Sequence, residues 1–183
     1  IGMLSSMPWF TLNHYGFTVV PLFVLMGYLA SHAGFGEDIY FTIRQWLGRL
    51  RGSLAITTCL GCAAFGTVSG DAISTTVTMG RIAIPEMEKA GYDRKLAIGS
   101  VASAGTIASM IPPSVIICIY GIIVEQSIGK LLIAGFLPGV LSALIYSLMI
   151  YLRTLLNPGL APLTARVSWR KRFSSLNRAW VVI

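Results

Sequence analysis

The most restrictive feature of this sequence is a polar turn inside an apolar stretch. Residues 65–78, FGTVSGDAISTTVT, place Ser69, Gly70 and Asp71 in the middle of a segment that is otherwise apolar enough for a bilayer. An ionisable side chain in that setting is costly to bury and indicates a functional site. Gly70 can end a helix, because glycine readily accepts the left-handed conformation that closes one, and Asp71 is a good N-cap for a second helix over residues 73–84. We therefore predict two half-helices that meet at a tip, and the alternative is one continuous helix kinked at Gly70.

The composition sets the class of protein to which this turn belongs. Hydrophobic residues make up 55% of the chain and charged residues only 11%, against about 25% charged residues in an ordinary soluble domain. We therefore expect an integral membrane protein. The net charge of +7 lies between apolar segments and near the C-terminal end, which indicates membrane orientation and not nucleic-acid binding. Cys59 and Cys62 form a CxxC pattern without a second pair of metal ligands, so we interpret them as small helix-packing residues.

The hydrophobic pattern divides the chain into four parts. Residues 1–51 hold a first transmembrane span and an interfacial amphipathic helix over 39–51, and residues 52–95 hold a re-entrant hairpin and a cytoplasmic loop over 86–95. Residues 96–152 hold a broken transmembrane helix and a following span over 131–152, and residues 153–183 hold a basic cytoplasmic connector and the start of another segment. A solvated connector is the alternative for 39–51. The chain starts without Met and ends on an apolar run, so we expect it to be part of a longer protein.

The length of the central stretch and the distribution of basic residues favour the re-entrant hairpin. Residues 52–85 would extend roughly 50 Å as helix, which is too long for one crossing of a ~30 Å core and too short for two. A hairpin that returns to its own side puts Arg44, Arg49 and Arg51 on the same side as the basic residues of the C-terminal tail. The positive-inside rule then places both basic regions in the cytoplasm, whereas a single crossing would violate the rule.

A second break is predicted in the sequence GTIASMIPPS, residues 105–114. Proline has no N–H and clashes with the carbonyl four residues earlier, so Pro112 frees the carbonyl of Ala108. Freed carbonyls at membrane depth ligate cations in transporters with discontinuous helices, and the N-termini of half-helices face anionic groups. Ser114 would lie at such an N-terminus. A kinked but continuous span is the alternative, and the adjacent prolines favour a break.

Several motifs in a fixed order carry a family resemblance over nearly the whole chain. They are PLFVLMG (21–27), LGRLRGSLA (47–55), FGTVSG (65–70), IPEMEKAGYDRK (84–95), GTIASMIPPS (105–114), AGFLPG (134–139) and NPGLAP (157–162). Together they resemble the first half of the large membrane subunit of tripartite ATP-independent periplasmic (TRAP) transporters.

The resemblance implies an all-α membrane fold, one half of an inverted-repeat elevator transporter, in which each repeat has a re-entrant helical hairpin and a broken helix. It implies sodium-coupled import of organic acid anions, of the C4-dicarboxylate or sialic acid type, across the bacterial inner membrane. The implied partners are a periplasmic substrate-binding protein and a small TRAP membrane subunit. The resemblance implies no cofactor, with sodium as the coupling ion.

The resemblance also implies site residues. The candidates for sodium binding are Ser69, Gly70, Ser74, Ala108, Ile111 and Pro113, and those for substrate binding are Ser74, Thr75, Thr76 and Ser114. The sequence departs from the family pattern at Asp71, where a small residue such as serine is expected, and at Ala108, where glycine is common. A carbonyl ligand survives the second departure, whereas the first adds a charge near the site or only caps a helix.

Two other functions remain open at this stage. One is a dicarboxylate or citrate symporter that works without a binding protein, and the other is a membrane subunit that braces a transporter without transporting. We do not expect an enzyme, because no spacing of nucleophile, base and orienting group occurs.

Overall fold

The computed structural model describes residues 15–48 and 50–162, with side chains from residue 20 onward. All regular secondary structure in these residues is helical. The α-helices are α1 (Tyr15–His32), α2 (Phe35–Leu47), α3 (Ser53–Ser69), α4 (Ala72–Lys89), α5 (Arg94–Gly105), α6 (Val115–Ile123) and α7 (Ile128–Leu156), and Thr106–Ser109 and Pro158–Leu160 form short 3₁₀ turns. The interpretations of Arg49, of residues 1–14 and of the tail beyond residue 162 lie outside the described residues.

Helix α3 lies at the centre of the described bundle and packs against α1, α2, α4, α5 and α7. It carries small and apolar residues on every side, and a helix of that kind is stable only when it is buried all round. Leu54, Cys59 and Phe65 are fully buried along its length. Its polar side chains are satisfied locally, since the Thr57 and Thr58 hydroxyls donate to the carbonyls four residues earlier. The first half of the hairpin is therefore fixed inside the protein.

Helix α4 is longer than the sequence predicted. The prediction ended this helix near residue 84 and made residues 86–95 a loop, which is wrong for residues 86–89, because α4 passes through Pro85 and ends at Lys89. Proline removes one backbone hydrogen bond, but the side chains after it compensate for that loss. Met87 is fully buried, and Glu86 forms an ion pair with Arg44 of α2. The turn to α5 is confined to residues 90–93.

Helix α2 begins and ends four residues earlier than the predicted 39–51, because Gly34 and Gly48 bound it. Tyr40 and Gln45 are its most buried large side chains, and Trp46, predicted on the apolar face, is half exposed. Burial, and next the nearby Glu86 carboxylate, raises the pKa of Tyr40, so its hydroxyl stays neutral. The location of α2 in a membrane interface stays a prediction.

Helix α7 includes the predicted span 131–152 and extends it at both ends to Ile128–Leu156. Among the described residues it is the one helix long and apolar enough to cross a membrane, at about 43 Å. Only 11% of its apolar window is buried, whereas a core helix of a soluble protein is mostly buried. Ile133 and Leu137 are about three-quarters exposed. On its inner side, the Cys59 thiol of α3 donates to the Ala143 carbonyl.

Candidate functional site

The predicted tip is a tight turn between α3 and α4. Gly70 has φ +63°, and its N–H donates to the Gly66 carbonyl at 2.9 Å, which closes α3. Asp71 is extended, and its Oδ2 accepts a hydrogen bond from the Ser74 backbone N–H at 2.7 Å, which caps α4. A C-cap glycine and an N-cap aspartate in succession thus reverse the chain in two residues.

A buried pair of hydroxyls joins the two half-helices behind this turn. The Ser69 and Thr75 hydroxyl oxygens are 2.6 Å apart, and both residues are buried. The Ser69 hydroxyl also lies 3.4 Å from the Asp71 carbonyl oxygen, to which it donates. Three oxygen atoms therefore converge inside the tip. Buried hydroxyls need such partners, because an unpaired one costs about 1–3 kcal/mol.

The second predicted break is present between α5 and α6. The α-helix ends at Gly105, a 3₁₀ turn covers Thr106–Ser109, and irregular backbone follows until α6 begins at Val115. We call residues 106–114 the unwound segment. Ser114 closes it, since its hydroxyl donates to the Ser109 carbonyl at 2.6 Å and accepts a hydrogen bond from the Ile117 N–H at 3.4 Å.

Five carbonyls of the unwound segment accept no hydrogen bond from the described residues. They belong to Ala108, Met110, Ile111, Pro112 and Pro113, and the three predicted as sodium ligands, Ala108, Ile111 and Pro113, are among them. Ala108 and Ile111 are buried, so water does not replace the missing donors freely. Pro112 lies four residues after Ala108 and has no N–H to donate, which explains the first of these free acceptors. The arrangement can offer oxygen atoms to a hard cation.

The tip and the unwound segment are in direct contact. The Val115 N–H, at the start of α6, donates to the Gly70 carbonyl at 3.0 Å. A Cβ atom on Gly70 would lie 2.8 Å from the Pro113 carbonyl oxygen, and one on Gly66 would lie 2.7 Å from the Ala108 Cα. Glycine at both positions therefore allows the two backbones to approach closely.

Helices α1 and α7 also pack against this contact. A Cβ atom on Gly27 of α1 would lie 2.8 Å from the Ser69 carbonyl oxygen, so α1 packs directly on the tip. A Cβ atom on Gly135 of α7 would lie 2.8 Å from the Met110 carbonyl oxygen, so α7 packs on the unwound segment. The sequence interpretation missed Gly66, Gly27 and Gly135 as contact residues. The signal was present, since a glycine inside an apolar helix indicates close backbone approach.

The structure brings most of the predicted sodium-site residues together. Ser69 and Gly70 lie in the tip, and Ala108 and Pro113 contact the hairpin from the unwound segment. Ile111 belongs to the same segment, but its side chain packs against Gly139 of α7.

Ser74 lies beside the tip and lines a cavity that Ser69 also lines. The cavity has a volume of about 450 Å³ and lies between α1, α2 and α4. Asp71, Thr78 and Arg81 line the same cavity.

The predicted substrate residues do not share one surface, because successive residues of a helix point in different directions. Ser74 faces the cavity, whereas Thr75 is fully buried against Ser69. The Thr76 hydroxyl donates to the Ala72 carbonyl, and the side chain packs against Gly105 of α5. Ser114 is fully buried at the start of α6.

In the part of the chain that the structure describes, one exposed apolar helix and two helix interruptions that meet at a polar junction are consistent with a membrane permease. The family model described as "Tripartite ATP-independent periplasmic transporter, DctM component" matches residues 3–183. The chain belongs to this family, the large permease subunits of TRAP transporters.

Curated relatives agree with this assignment. The chain is 35% identical over 169 residues to the C4-dicarboxylate TRAP transporter large permease protein DctM of Pseudomonas aeruginosa, covering 92% of the chain and 39% of that protein. It is 33% identical over 160 residues to the ectoine/5-hydroxyectoine permease UehC of Ruegeria pomeroyi, covering 87% of the chain and 37% of that protein. It is 34% identical over 142 residues to the sialic acid permease SiaT of Haemophilus influenzae, covering 78% of the chain and 23% of that protein. The chain thus spans about two fifths or less of these relatives, which are transporter permeases and not enzymes.

Proposed function

We propose that this chain is part of the permease subunit of a sodium-coupled secondary transporter in the bacterial inner membrane. It imports organic acid anions that a periplasmic binding protein delivers, and a small membrane subunit braces it. Family membership supports the permease class and the general set of partners. The relatives carry names with different substrates, namely C4-dicarboxylate, ectoine and sialic acid, so the proposal stays at the level of small organic acids.

One observation carries the proposal: the tip of the hairpin lies directly on the unwound segment, joined by the hydrogen bond from Val115 to Gly70. Two adjacent helix interruptions leave backbone groups without hydrogen-bond partners. This costs free energy unless a ligand binds those groups. Each buried carbonyl without a donor costs about 1–3 kcal/mol. A bound sodium ion coordinated by Ala108 and Pro113 would offset that cost.

The sodium site in this proposal draws on oxygen atoms from both sides of the contact. Ser69 and Gly70 contribute from the tip, and Ala108, Ile111 and Pro113 contribute carbonyl oxygens from the unwound segment. Thr75 joins this set through its hydrogen bond with Ser69. Ser74 belongs to this set through the cavity that it lines together with Ser69.

The hairpin is re-entrant in this proposal. Helix α3 has 17 residues, or about 26 Å, so its tip lies within a ~30 Å hydrocarbon core and does not reach the far surface. Irregular backbone at that depth requires cover by protein. Gly27 of α1 and the unwound segment supply such cover. A second, inverted copy of this unit completes the transporter.

The substrate binds beside the tip, where the cavity next to Ser74 offers a cation. Arg81 lines this cavity together with Ser74, Thr78 and the carboxylates of Glu37 and Asp71, and its guanidinium is the group of this lining that pairs well with a substrate carboxylate. In this proposal Thr75, Thr76 and Ser114 do not contact the substrate, since the hydroxyl of each is already hydrogen-bonded within the protein. A sodium ion close to an anionic substrate reduces the cost of desolvating both charges.

Coupling follows if sodium binding favours the closed contact between tip and unwound segment. A ligand shifts an equilibrium only through its different affinities for the two states. The oxygen atoms of the tip and of the unwound segment supply that difference, because the two sets come together only when the hairpin is docked. Substrate binding at the docked tip then requires sodium.

The direct test is a sodium titration of Ser69→Ala in the intact transporter. Uptake of a panel containing a C4-dicarboxylate, sialic acid and ectoine is measured in proteoliposomes with the small subunit and the binding protein. Loss of one hydroxyl ligand, worth about 1 kcal/mol, raises the sodium concentration for half-maximal uptake about fivefold. Ser147→Ala is the matched control, because its hydroxyl donates to the Ala143 carbonyl within α7 and bonds with the Cys59 thiol of α3, which lies ten residues before Ser69 and about 15 Å from the tip along that helix. Sodium dependence that is the same in Ser69→Ala and in the control would remove Ser69 from the site.

A further inference from the structure

A second cavity lies at the other end of α5 from the unwound segment. It has a volume of about 380 Å³ and opens between α5 and α7. Lys95 and Gly105 are ten residues apart on α5, so this cavity and the tip are separated by about 15 Å along that helix. The cavity is therefore outside the proposed sodium and substrate sites. Its lining combines basic, small polar and apolar side chains: Asp93, Lys95, Leu96, Gly99, Ser100, Ser103, Met149, Ile150, Arg153 and Leu160.

Two cations from different helices line this cavity. Lys95 lies in the first turn of α5, and Arg153 lies in the last turn of α7. Neither has an ion-pair partner within 4 Å among the residues that the structure describes. The Asp93 carboxylate caps the first turn of α5, since its Oδ1 accepts hydrogen bonds from the Lys95 and Leu96 N–H groups at 2.9 and 3.1 Å. The side-chain charge of the lining is therefore +1, with two free basic groups.

The floor of the cavity is apolar and open. Leu96, Met149 and Ile150 supply its hydrocarbon surface. Gly99 has nothing within 4 Å of the position that a Cβ atom would take, so the cavity reaches its backbone. The N–H of Asp93 donates to the Leu160 carbonyl at 3.0 Å, which closes one end. A ligand with an anionic head and an apolar body matches this surface.

The sequence also indicates where this cavity lies relative to the bilayer. Arg153 lies in the last turn of the exposed apolar helix α7, and a long basic side chain near the end of a membrane helix extends to the membrane surface. The positive-inside rule assigns this end of α5 and α7 to the cytoplasm. Basic pockets between membrane helices on the cytoplasmic side bind the head groups of anionic lipids.

We propose that this cavity binds one anionic phospholipid of the cytoplasmic leaflet. The phosphate lies between Lys95 and Arg153, and an acyl chain lies along Leu96, Gly99 and Met149. Such a lipid fastens the start of α5 to the end of α7, two helices that otherwise touch only slightly.

The test is native mass spectrometry of the intact permease with its small subunit, titrated with phosphatidylglycerol and with phosphatidylcholine of the same acyl chains. A basic residue near a membrane surface adds about fivefold in affinity for an anionic lipid. Lys95→Gln and Arg153→Gln each lower phosphatidylglycerol binding about fivefold, and the double variant lowers it about 25-fold. Phosphatidylcholine binding is unchanged in these variants.

Arg94→Gln is the matched control, because Arg94 precedes Lys95 but lies 3.5 Å from Glu88 and is not part of the lining. Gly99→Leu fills the floor without a change of charge, and it lowers the binding of both lipids. The ratio of lipid-bound to lipid-free complex is read on the assembled species, so a variant that folds poorly does not mimic the effect.

Three results would overturn the proposal. The first is equal binding of both lipids by the wild-type complex, and the second is an equal loss in Arg94→Gln and Lys95→Gln. The third is full displacement of phosphatidylglycerol by millimolar inorganic phosphate, which would mean a soluble anion and not a lipid.

Discussion

Replacement of Gly66 by alanine tests the contact between the hairpin and the unwound segment most sharply. The new Cβ atom would lie 2.7 Å from the Ala108 Cα and 2.8 Å from the Ala108 Cβ. Carbon atoms pack at about 3.5–4.0 Å, so the two backbones must separate by about 1 Å. Overpacking of this kind costs about 1–3 kcal/mol. Alanine also favours the helix by about 1 kcal/mol relative to glycine, so the effect on overall stability is small.

The clash instead destabilises the docked state, in which the hairpin contacts the unwound segment. Sodium binding then has to compensate for the clash at Gly66 when the hairpin docks on the unwound segment. The apparent affinity of the transporter for sodium therefore falls by the same free energy. A penalty of about 1–3 kcal/mol corresponds to a rise of about 5- to 150-fold in the sodium concentration for half-maximal uptake. The maximal rate at saturating sodium changes less than the sodium dependence.

The assay is uptake in proteoliposomes over a sodium range at fixed substrate and constant ionic strength. Gly80→Ala is the matched control, because Gly80 lies in the same hairpin and its Cβ position is 3.5 Å from the nearest atom, which is ordinary contact. We expect Gly80→Ala to keep the wild-type sodium curve. A wild-type curve for Gly66→Ala, in correctly assembled protein, would refute the idea that this contact responds to sodium.

The remaining predictions concern the cap of α4 and the ion pair between α2 and α4. Asp71→Ala removes the cap on the Ser74 N–H and lowers the stability of the detergent-solubilised transporter by about 1 kcal/mol in thermal unfolding, whereas Asp71→Asn keeps the cap. Sodium-driven uptake that fails in Asp71→Asn would show that the charge itself belongs to the site. Arg44→Gln and Glu86→Gln each cost up to about 1 kcal/mol, since both partners are about one-third exposed, and the double variant costs less than the sum. Additive costs in the same unfolding assay would show that the pair contributes nothing by itself.

The sequence predicted the tip well because its determinants are local. Gly70 and Asp71 fix a C-cap and an N-cap through their own backbone and side chain, and no distant residue is needed. The break before Ser114 was predictable for the same reason, since proline acts on its own helix. These two features came from the residues themselves, before any resemblance was used.

Sequence reasoning failed where packing decides the outcome. Helix α4 continues through Pro85 because Met87 is buried and Glu86 forms an ion pair with Arg44. Arg44 and the residues that cover Met87 are distant from Pro85 in the sequence. The close approaches at Gly66 and Gly27 depend on which helices become neighbours, which a single sequence does not reveal. The hydrogen bond between Thr75 and Ser69 was not predicted, although the two residues are only six apart in the sequence, and the interpretation of Thr75 as a substrate residue stays a prediction.

The most direct test of the central claim is uptake driven by a sodium gradient alone, in proteoliposomes that contain the intact permease, the small subunit and the loaded binding protein. The account predicts accumulation of one of the organic acids when sodium is high outside, none when potassium replaces sodium, and none without the binding protein. Uptake that a proton gradient drives in the absence of sodium, or that persists without the binding protein, would contradict it. Such a result would favour a binding-protein-independent symporter and would leave the junction at Gly70 and Pro113 as a packing contact.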